Sequence, residues 1–269
     1  MGPATDAADL PAPDPEALSR ARALVADAER VVVLAGAGIS TDSGIADFRG
    51  PNGLWTKDPD AEKTSDISYY VADPAIRAKA WQGRLRWFER RLEPNDGHRA
   101  LVELERQGRL AALVTQNIDG LHHAAGHDPS LVVEVHGTVR DVVCLDCGDR
   151  GPMGPALDRV RAGEVDPDCR ACGGMLKSAT VSFGQSLDPD DLRRAFEAAA
   201  ACDLLLAVGS SLGVYPVADL VPTAAGRGAR VVIVNGQPTP MDPLADVVVR
   251  GSLSHVLPAL VAADGLGNT

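Results

Sequence analysis

The chain has 269 residues, 45% of them apolar but only 4% aromatic, and a net charge of −11. That length suits one large α/β unit, alone or carrying a small insert, with a core filled by aliphatic side chains. The acidic balance argues against sequence-independent nucleic-acid binding, which needs clustered Lys and Arg, and no apolar stretch is long enough to span a membrane, so neither partner is expected.

Residues 1–14, rich in Pro, Ala and Asp, read as a disordered tail. No basic residue and no apolar run precedes Arg20, which predicts the absence of a secretory signal. Gly2 lacks the Ser or Thr that myristoylation requires, since Asp6 stands there. Asp14 and Pro15 open a helix running to Glu29. Residues 31–34, VVVL, form an unalternating β-branched run, as expected for a parallel strand covered on both faces.

Gly36, Ala37, Gly38, Ile39 and Ser40 follow, and no large side chain blocks a ligand from the strand's end. A helix opening over residues 39–43 would turn free N–H groups toward a pyrophosphate. The dehydrogenase fingerprint fails, because its third glycine is Thr41 and no acid closes a second strand about twenty residues later. Asp47, Phe48, Arg49 and a Pro-Asn-Gly turn come instead. Residues 50–97 hold all three tryptophans and no strong strand pattern, and read as a mostly helical insertion lining the cleft.

From His98 the pattern alternates again: a helix through Gln107, a strand over 110–115, a helix over 118–125, a strand over 131–135, then strands over 204–208 and 231–234. This rhythm predicts a doubly wound parallel sheet in an α/β fold. It lapses between His136 and Phe183, where all four paired cysteines lie, so a second module is inserted there. Cys144, Cys147, Cys169 and Cys172 form two C-x2-C knuckles, each followed by glycine, with a short helix expected near 155–161 between them. Four thiolates in this pattern suit tetrahedral zinc and leave no open coordination position, which predicts one structural zinc. Paired thiols of this kind suit a reducing compartment, so a cytoplasmic location is expected. Cys202, at the end of an alanine-rich helix, reads as an inert buried thiol.

Ligands of doubly wound sheets bind beyond the carboxyl ends of the strands. The residues there are Gly36 to Arg49 after the first strand, then Gln116, Asn117, Ile118 and Asp119, then His136, then Gly209, Ser210 and Ser211, and finally Asn235. Singly, Gly209-Ser-Ser, Asn117 and Asp119 read as helix caps, and His136 before Gly137 as a turn histidine. Five strand ends carrying small or polar residues together point to a dinucleotide.

GAGIS, GIADFRG, TQNIDGLH, the His-Gly pair, both knuckles, Phe183-Gly184, GSSLGVYP and the VIVN strand stand in the order and spacing of the sirtuins, which the chain resembles over roughly residues 28–261. Sirtuins are NAD-dependent protein lysine deacylases. The resemblance implies a Rossmann-like NAD-binding domain (15–49, 98–136 and 184–263) and a small domain built from the helical insertion (50–97) and a zinc-ribbon module (137–183). It assigns the phosphates to residues 36–40 and 209–211, and the nicotinamide carboxamide to Asn117 and Asp119. Arg49 and Gln116 would order the loop and ribose, Phe48 would shield the reacting carbon, and Asp47, Ile118, Asn235, Gly236 and Leu253 would complete the cofactor site. His136 would be the general base, with Asn117 beside it in catalysis. Substrate backbone would pair, as an added strand, with Val181, Phe183 and Gly184 on one side and with Gly213, Val214 and Tyr215 on the other.

The implied reaction consumes NAD and an acyl-lysine protein or peptide and yields nicotinamide, O-acyl-ADP-ribose and free lysine. A ribose hydroxyl must lose a proton on the way, and histidine has the unperturbed pKa for that near neutrality. Three departures bear on substrate preference: Ala46 in place of proline, Gln185 in place of glutamate, and Ser178-Ala179-Thr180 in place of a proline-containing turn. Neither Tyr69 nor Tyr70 has arginine three residues on, the pair that accompanies acidic acyl groups, so a neutral acyl group, most simply acetyl, is expected. Gln185 and the altered turn keep mono-ADP-ribosyl transfer open as a second activity. A non-catalytic NAD or ADP-ribose sensor is the third reading, and His136 argues against it, because a sensor needs no base.

Overall fold

The computed structural model describes residues 11–47, 53 and 63–262. Phe48, Arg49 and the tail up to residue 10 lie outside them. Helix α1 spans Pro15–Asp27, with the Asp14 carboxylate accepting from the N–H groups of Glu16 and Ala17. It leads into β1, Val31–Ala35. A 3-10 turn at Ala37–Ser43 follows, then α2 (Ile67–Ala72), α3 (Pro74–Glu89) and α4 (Asp96–Arg106). The chain continues through β2 (Leu110–Thr115), α5 (Leu121–Ala125), β3 (Val132–Glu134), β4 (Gly137–Cys144), β5 (Arg150–Pro152), α6 (Met153–Arg161) and β6 (Leu176–Thr180). It closes with α7 (Pro189–Ala201), β7 (Leu204–Val208), α8 (Leu220–Gly226), β8 (Arg230–Val234), β9 (Val247–Val249) and α9 (Leu253–Val261). Among the described residues no helix is long and apolar enough to cross a membrane.

The large sheet has the order β3-β2-β1-β7-β8-β9, with every neighbour parallel. Its central strands are buried on both faces, which is why they are apolar without alternation. Val31 and Val33 face α1, α4 and α9, packing with Val25, Leu101, Leu104 and Leu257, while Val32 and Leu34 face α7 and α8, packing with Ala199, Leu220 and Val221. Strand order reverses across β1, whose neighbours β2 and β7 carry the crossovers in opposite directions, and the cleft lies at that switch point.

A second, antiparallel sheet of order β5-β4-β6 has its own core, in which Trp81 of α3 meets Val142, Met153, Leu157, Val160 and Leu176. The tryptophan is 1% exposed, so α3 is tied to this sheet by a large apolar side chain. From α2, the Tyr70 hydroxyl donates to the Leu176 carbonyl at 2.6 Å.

Three expectations need correction. Residues 118–120 are not helical: Gly120 has φ 76°, the Asp119 carboxylate accepts the Leu121 N–H at 2.9 Å, and α5 starts only there. The helix expected from His98 begins at Asp96, because Asn95 caps it by accepting from the N–H groups of Gly97 and His98. Strand β9 was not expected, since three valines in an edge strand give too short a pattern to read.

Candidate NAD and zinc sites

The loops after β1 and β7 interlock. A Cβ on Gly38 would stand 2.7 Å from the Gly209 Cα, and one on Gly209, where φ is 60°, would stand 2.5 Å from the Ile39 nitrogen. Glycine is therefore required here by loop-on-loop packing as well as by approach to a ligand. The Gly38 N–H donates to the Gly209 carbonyl at 2.8 Å, locking the pair. Among the described residues nothing accepts from the backbone N–H groups of Ala37, Ser210 and Ser211. Three free donors at two strand ends, one opening the 3-10 turn, suit an anion. After Ser211, Leu212 takes φ 50°, a left-handed conformation rare for a side chain of that bulk, and is held by burial and by its N–H donating to Ser210 Oγ at 3.2 Å.

A polar network fills the floor between these loops. Asn117 Nδ2 donates to the Gly36 carbonyl at 3.1 Å and to Ser40 Oγ at 3.2 Å, and Ser40 Oγ donates to Asp119 Oδ2 at 2.7 Å. Burial pushes the Asp119 carboxyl above the usual carboxylate range, opposed by the hydrogen bonds from Leu121 and Ser40. Gln116 Oε1 accepts from Ser210 Oγ at 3.2 Å, while its Nε2 is buried with no partner among the described residues. An unsatisfied buried amide costs free energy, so this donor fits a ligand oxygen. The loop is also held from α4 by a side chain that the sequence reading did not assign to the site. Asn95 Nδ2 donates to the Ile39 carbonyl at 2.8 Å and to Ser43 Oγ at 3.0 Å. The signal for it was the Asn-Asp pair opening a helix, a cap pattern.

His136 stands between the two sheets. Its Nδ1 lies 3.0 Å from the Gln116 carbonyl oxygen. A carbonyl only accepts, so Nδ1 carries the proton and Nε2 keeps its lone pair. Burial lowers the imidazole pKa, with the hydrogen bond to Gln116 opposing. The next residue, Gly137, has φ 70°, and a Cβ there would lie 2.1 Å from the Ala179 carbonyl oxygen, so only glycine lets β6 pass so close behind the histidine.

Of the other expected residues, Asp47 is half-buried at the end of the described loop, and Ile118 follows Asn117. Asn235 and Gly236 end β8, where Asn235 Nδ2 is engaged by the Gln237 carbonyl at 2.8 Å, and Leu253 is buried at the start of α9. The Val181 N–H donates to the His136 carbonyl, and Phe183 pairs through N–H and C=O with Ser65 and Ile67. Among the described residues the Val181 carbonyl, both backbone groups of Gly184 and Gly213, the Val214 N–H and both groups of Tyr215 keep no partner. Phe183 and Tyr215, 40% and 61% exposed, mark two walls bearing open backbone groups.

The four knuckle sulfurs lie within 4.8 Å of one another, with Cys144 and Cys172 at 3.6 Å and Cys147 and Cys169 at 3.8 Å. A tetrahedron with zinc–sulfur bonds of about 2.3 Å places sulfurs about 3.8 Å apart, so the set fits zinc. Without a cation the four cannot all ionise. The N–H of Cys147 favours the Cys144 thiolate, lowering that thiol to about 7, while the neighbouring sulfurs push Cys172 up to about 12. Cys202 lies apart, donates to the Ala199 carbonyl at 3.3 Å, and is raised to about 11 by burial.

Residues 36–216 match the Sir2 family model. The chain is 52% identical over 237 residues to "NAD-dependent protein deacetylase 2" of Streptomyces coelicolor, covering 88% of this chain and 98% of that protein. Among solved structures it is similar to a Sir2 enzyme with a TM-score of 0.83 at 40% identity, covering 91% of this chain and 96% of that one. A Sir2 variant with a deacetylated p53 peptide and 3'-O-acetyl ADP ribose superposes with a TM-score of 0.81 at 31% identity, covering 90% and 96%. With its sheet order, its four-cysteine cluster and this similarity along most of its length, the chain belongs to the Sir2 family.

Proposed function

We infer that the protein is an NAD-dependent protein lysine deacylase, most simply a deacetylase, with NAD as co-substrate and one structural zinc. The observation that carries the catalytic assignment is the His136 imidazole, held by its Nδ1–H to the carbonyl of Gln116, the residue before Asn117, which leaves Nε2 unprotonated. Residues 36–40 and 209–211 would hold the phosphates, Asn117 and Asp119 the carboxamide, and Asn235, Gly236 and Leu253 the adenosine end. NAD supplies an ADP-ribosyl group with nicotinamide as its leaving group. Asn117 orients, the buried site excludes water, and His136 Nε2 takes the proton of a ribose hydroxyl. Asp47 we assign to the cofactor site, with Phe48 to shield the reacting carbon and Arg49 to order the loop and ribose, as the resemblance implies; Phe48 and Arg49 lie outside the described residues.

Peptide substrates would add a strand between residues 181–184 and 213–215, where the open backbone groups support this reading. A neutral acyl group is favoured, since the Tyr70 hydroxyl is spent on Leu176. We divide the chain at the boundaries given above, on the strength of separate cores for the two sheets. The free thiols suit a cytoplasmic location. The experiment is to incubate the protein with NAD and an acetyl-lysine peptide and identify products by mass spectrometry. Nicotinamide, O-acetyl-ADP-ribose and unmodified peptide are expected. ADP-ribosylated peptide would favour transfer, and bound but unconsumed NAD would favour a sensor.

A further inference from the structure

Four carbonyls on alternate residues along β6 and its continuation are satisfied from inside the chain. Leu176 accepts from the Tyr70 hydroxyl at 2.6 Å, Ser178 from Lys177 Nζ at 3.1 Å, Thr180 from the same ammonium, and Ser182 from the Gln185 N–H at 3.0 Å. Backbone groups alternate sides along an extended chain, so these four share one edge. The opposite edge is taken by the Val181 N–H on His136 and by Phe183 with Ser65 and Ile67. Lys177 is buried, and no carboxylate pairs with it among the described residues. Burial and the nearby Arg84 lower its ammonium to about 8, so its partners are the two carbonyls. At the end of this edge Gln185 closes a ring: its N–H reaches the Ser182 carbonyl, and its Oε1 accepts the Ser182 N–H at 3.0 Å. Gly184, with φ 83°, makes the turn between them.

An edge strand is a template for any extended chain unless its groups are occupied. Here the carbonyls of that edge are occupied from Leu176 to Ser182, up to the turn at Gly184. We propose that Gln185 is a positioning residue for the acyl-lysine peptide: its side chain holds the Ser182 N–H, the last pairing group of this edge before the turn, and so leaves Gly184 as the point at which an incoming strand can pair, setting its register. The inference rests on the deacylase reading and adds a residue to it. Gln185 touches neither the cofactor loop nor His136 through any hydrogen bond of the described residues, so its influence should be confined to the peptide.

The test is steady-state kinetics of Gln185→Ala and Gln185→Glu with an acetyl-lysine peptide, beside direct NAD titration. One neutral hydrogen bond is worth about five-fold in an equilibrium, so Gln185→Ala should raise peptide KM about five-fold, with kcat within about two-fold of wild type and NAD affinity unchanged. Gln185→Glu should recover the wild-type KM, because a carboxylate oxygen accepts the same N–H. An unchanged or lowered peptide KM in Gln185→Ala overturns the proposal, as does a Glu variant no better than the Ala variant. Wild-type turnover of the same peptide is the reference. Its absence overturns the deacylase reading and this inference with it, whereas an active wild type beside an unaffected Ala variant overturns this inference alone.

Discussion

Replacing His136 with alanine removes the imidazole while leaving the phosphate loops and the Asn117–Ser40–Asp119 network untouched, so NAD binding and chemistry should separate. General-base assistance is typically worth about 10²- to 10⁴-fold, and turnover should fall by at least about the lower figure. The pH profile of the wild type sharpens the test. An ordinary imidazole with a pKa of about 6.5 is already about three-quarters neutral at pH 7. Burial lowers His136 below that, so its neutral fraction at pH 7 is higher still. Raising the pH from 7 to 8 should therefore increase wild-type kcat/KM by less than about 1.3-fold, and its acid limb should have its midpoint below about 6.5. The sign follows from burial: the charged form is disfavoured, so the base is lost only as pH falls through the lowered pKa. The assay is deacylation from pH 5 to 8.5, with the wild-type profile taken as kcat/KM, which reports the free enzyme, the His136→Ala comparison made at saturating NAD and peptide, and NAD affinity measured by calorimetry. Turnover of His136→Ala within a few-fold of wild type, with folding intact, would refute the assignment, and so would an acid limb centred well above 6.5.

Zinc removal by a strong chelator, or Cys144→Ser, should melt the β4-β5-β6 sheet and abolish activity indirectly, because a structural zinc site contributes folding free energy; full activity and an unchanged melting curve after measured zinc loss would exclude that role. Asn117→Ala should weaken nicotinamide inhibition together with turnover, since the amide sits between Gly36 and Ser40, and inhibition curves identical to wild type would move the nicotinamide site elsewhere. Trp81→Ala should destabilise the protein by about 3–5 kcal/mol in urea denaturation, as expected for emptying a fully buried aromatic site, and a loss under about 1 kcal/mol would mean that α3 does not depend on it.

The sequence by itself determined what depends on local pattern. Residues 204–208 and 110–115 read as strands at their observed bounds, because a strand buried on both faces must be apolar throughout. The two knuckles read as a metal site because four thiolates at that spacing have few other uses. Gly38 and Gly209 were visible as glycines, but the reason for them was not: each excludes a side chain from the other's loop, and they are 171 positions apart in sequence, too far for any local signal. Strands β4, β5, β6 and β9 escaped for want of periodicity: β5 and β9 have three residues each, and β4 and β6 carry polar residues on both faces. Tertiary structure alone decided that Nδ1 of His136 is the protonated nitrogen, since the acceptor is a carbonyl twenty residues earlier. It also decided that Asn95 reaches 56 residues back to the Ile39 carbonyl of the cofactor loop. Such contacts form only when β1, β2 and α4 are packed side by side, and the free energy that selects them belongs to the assembled core and not to any segment of it.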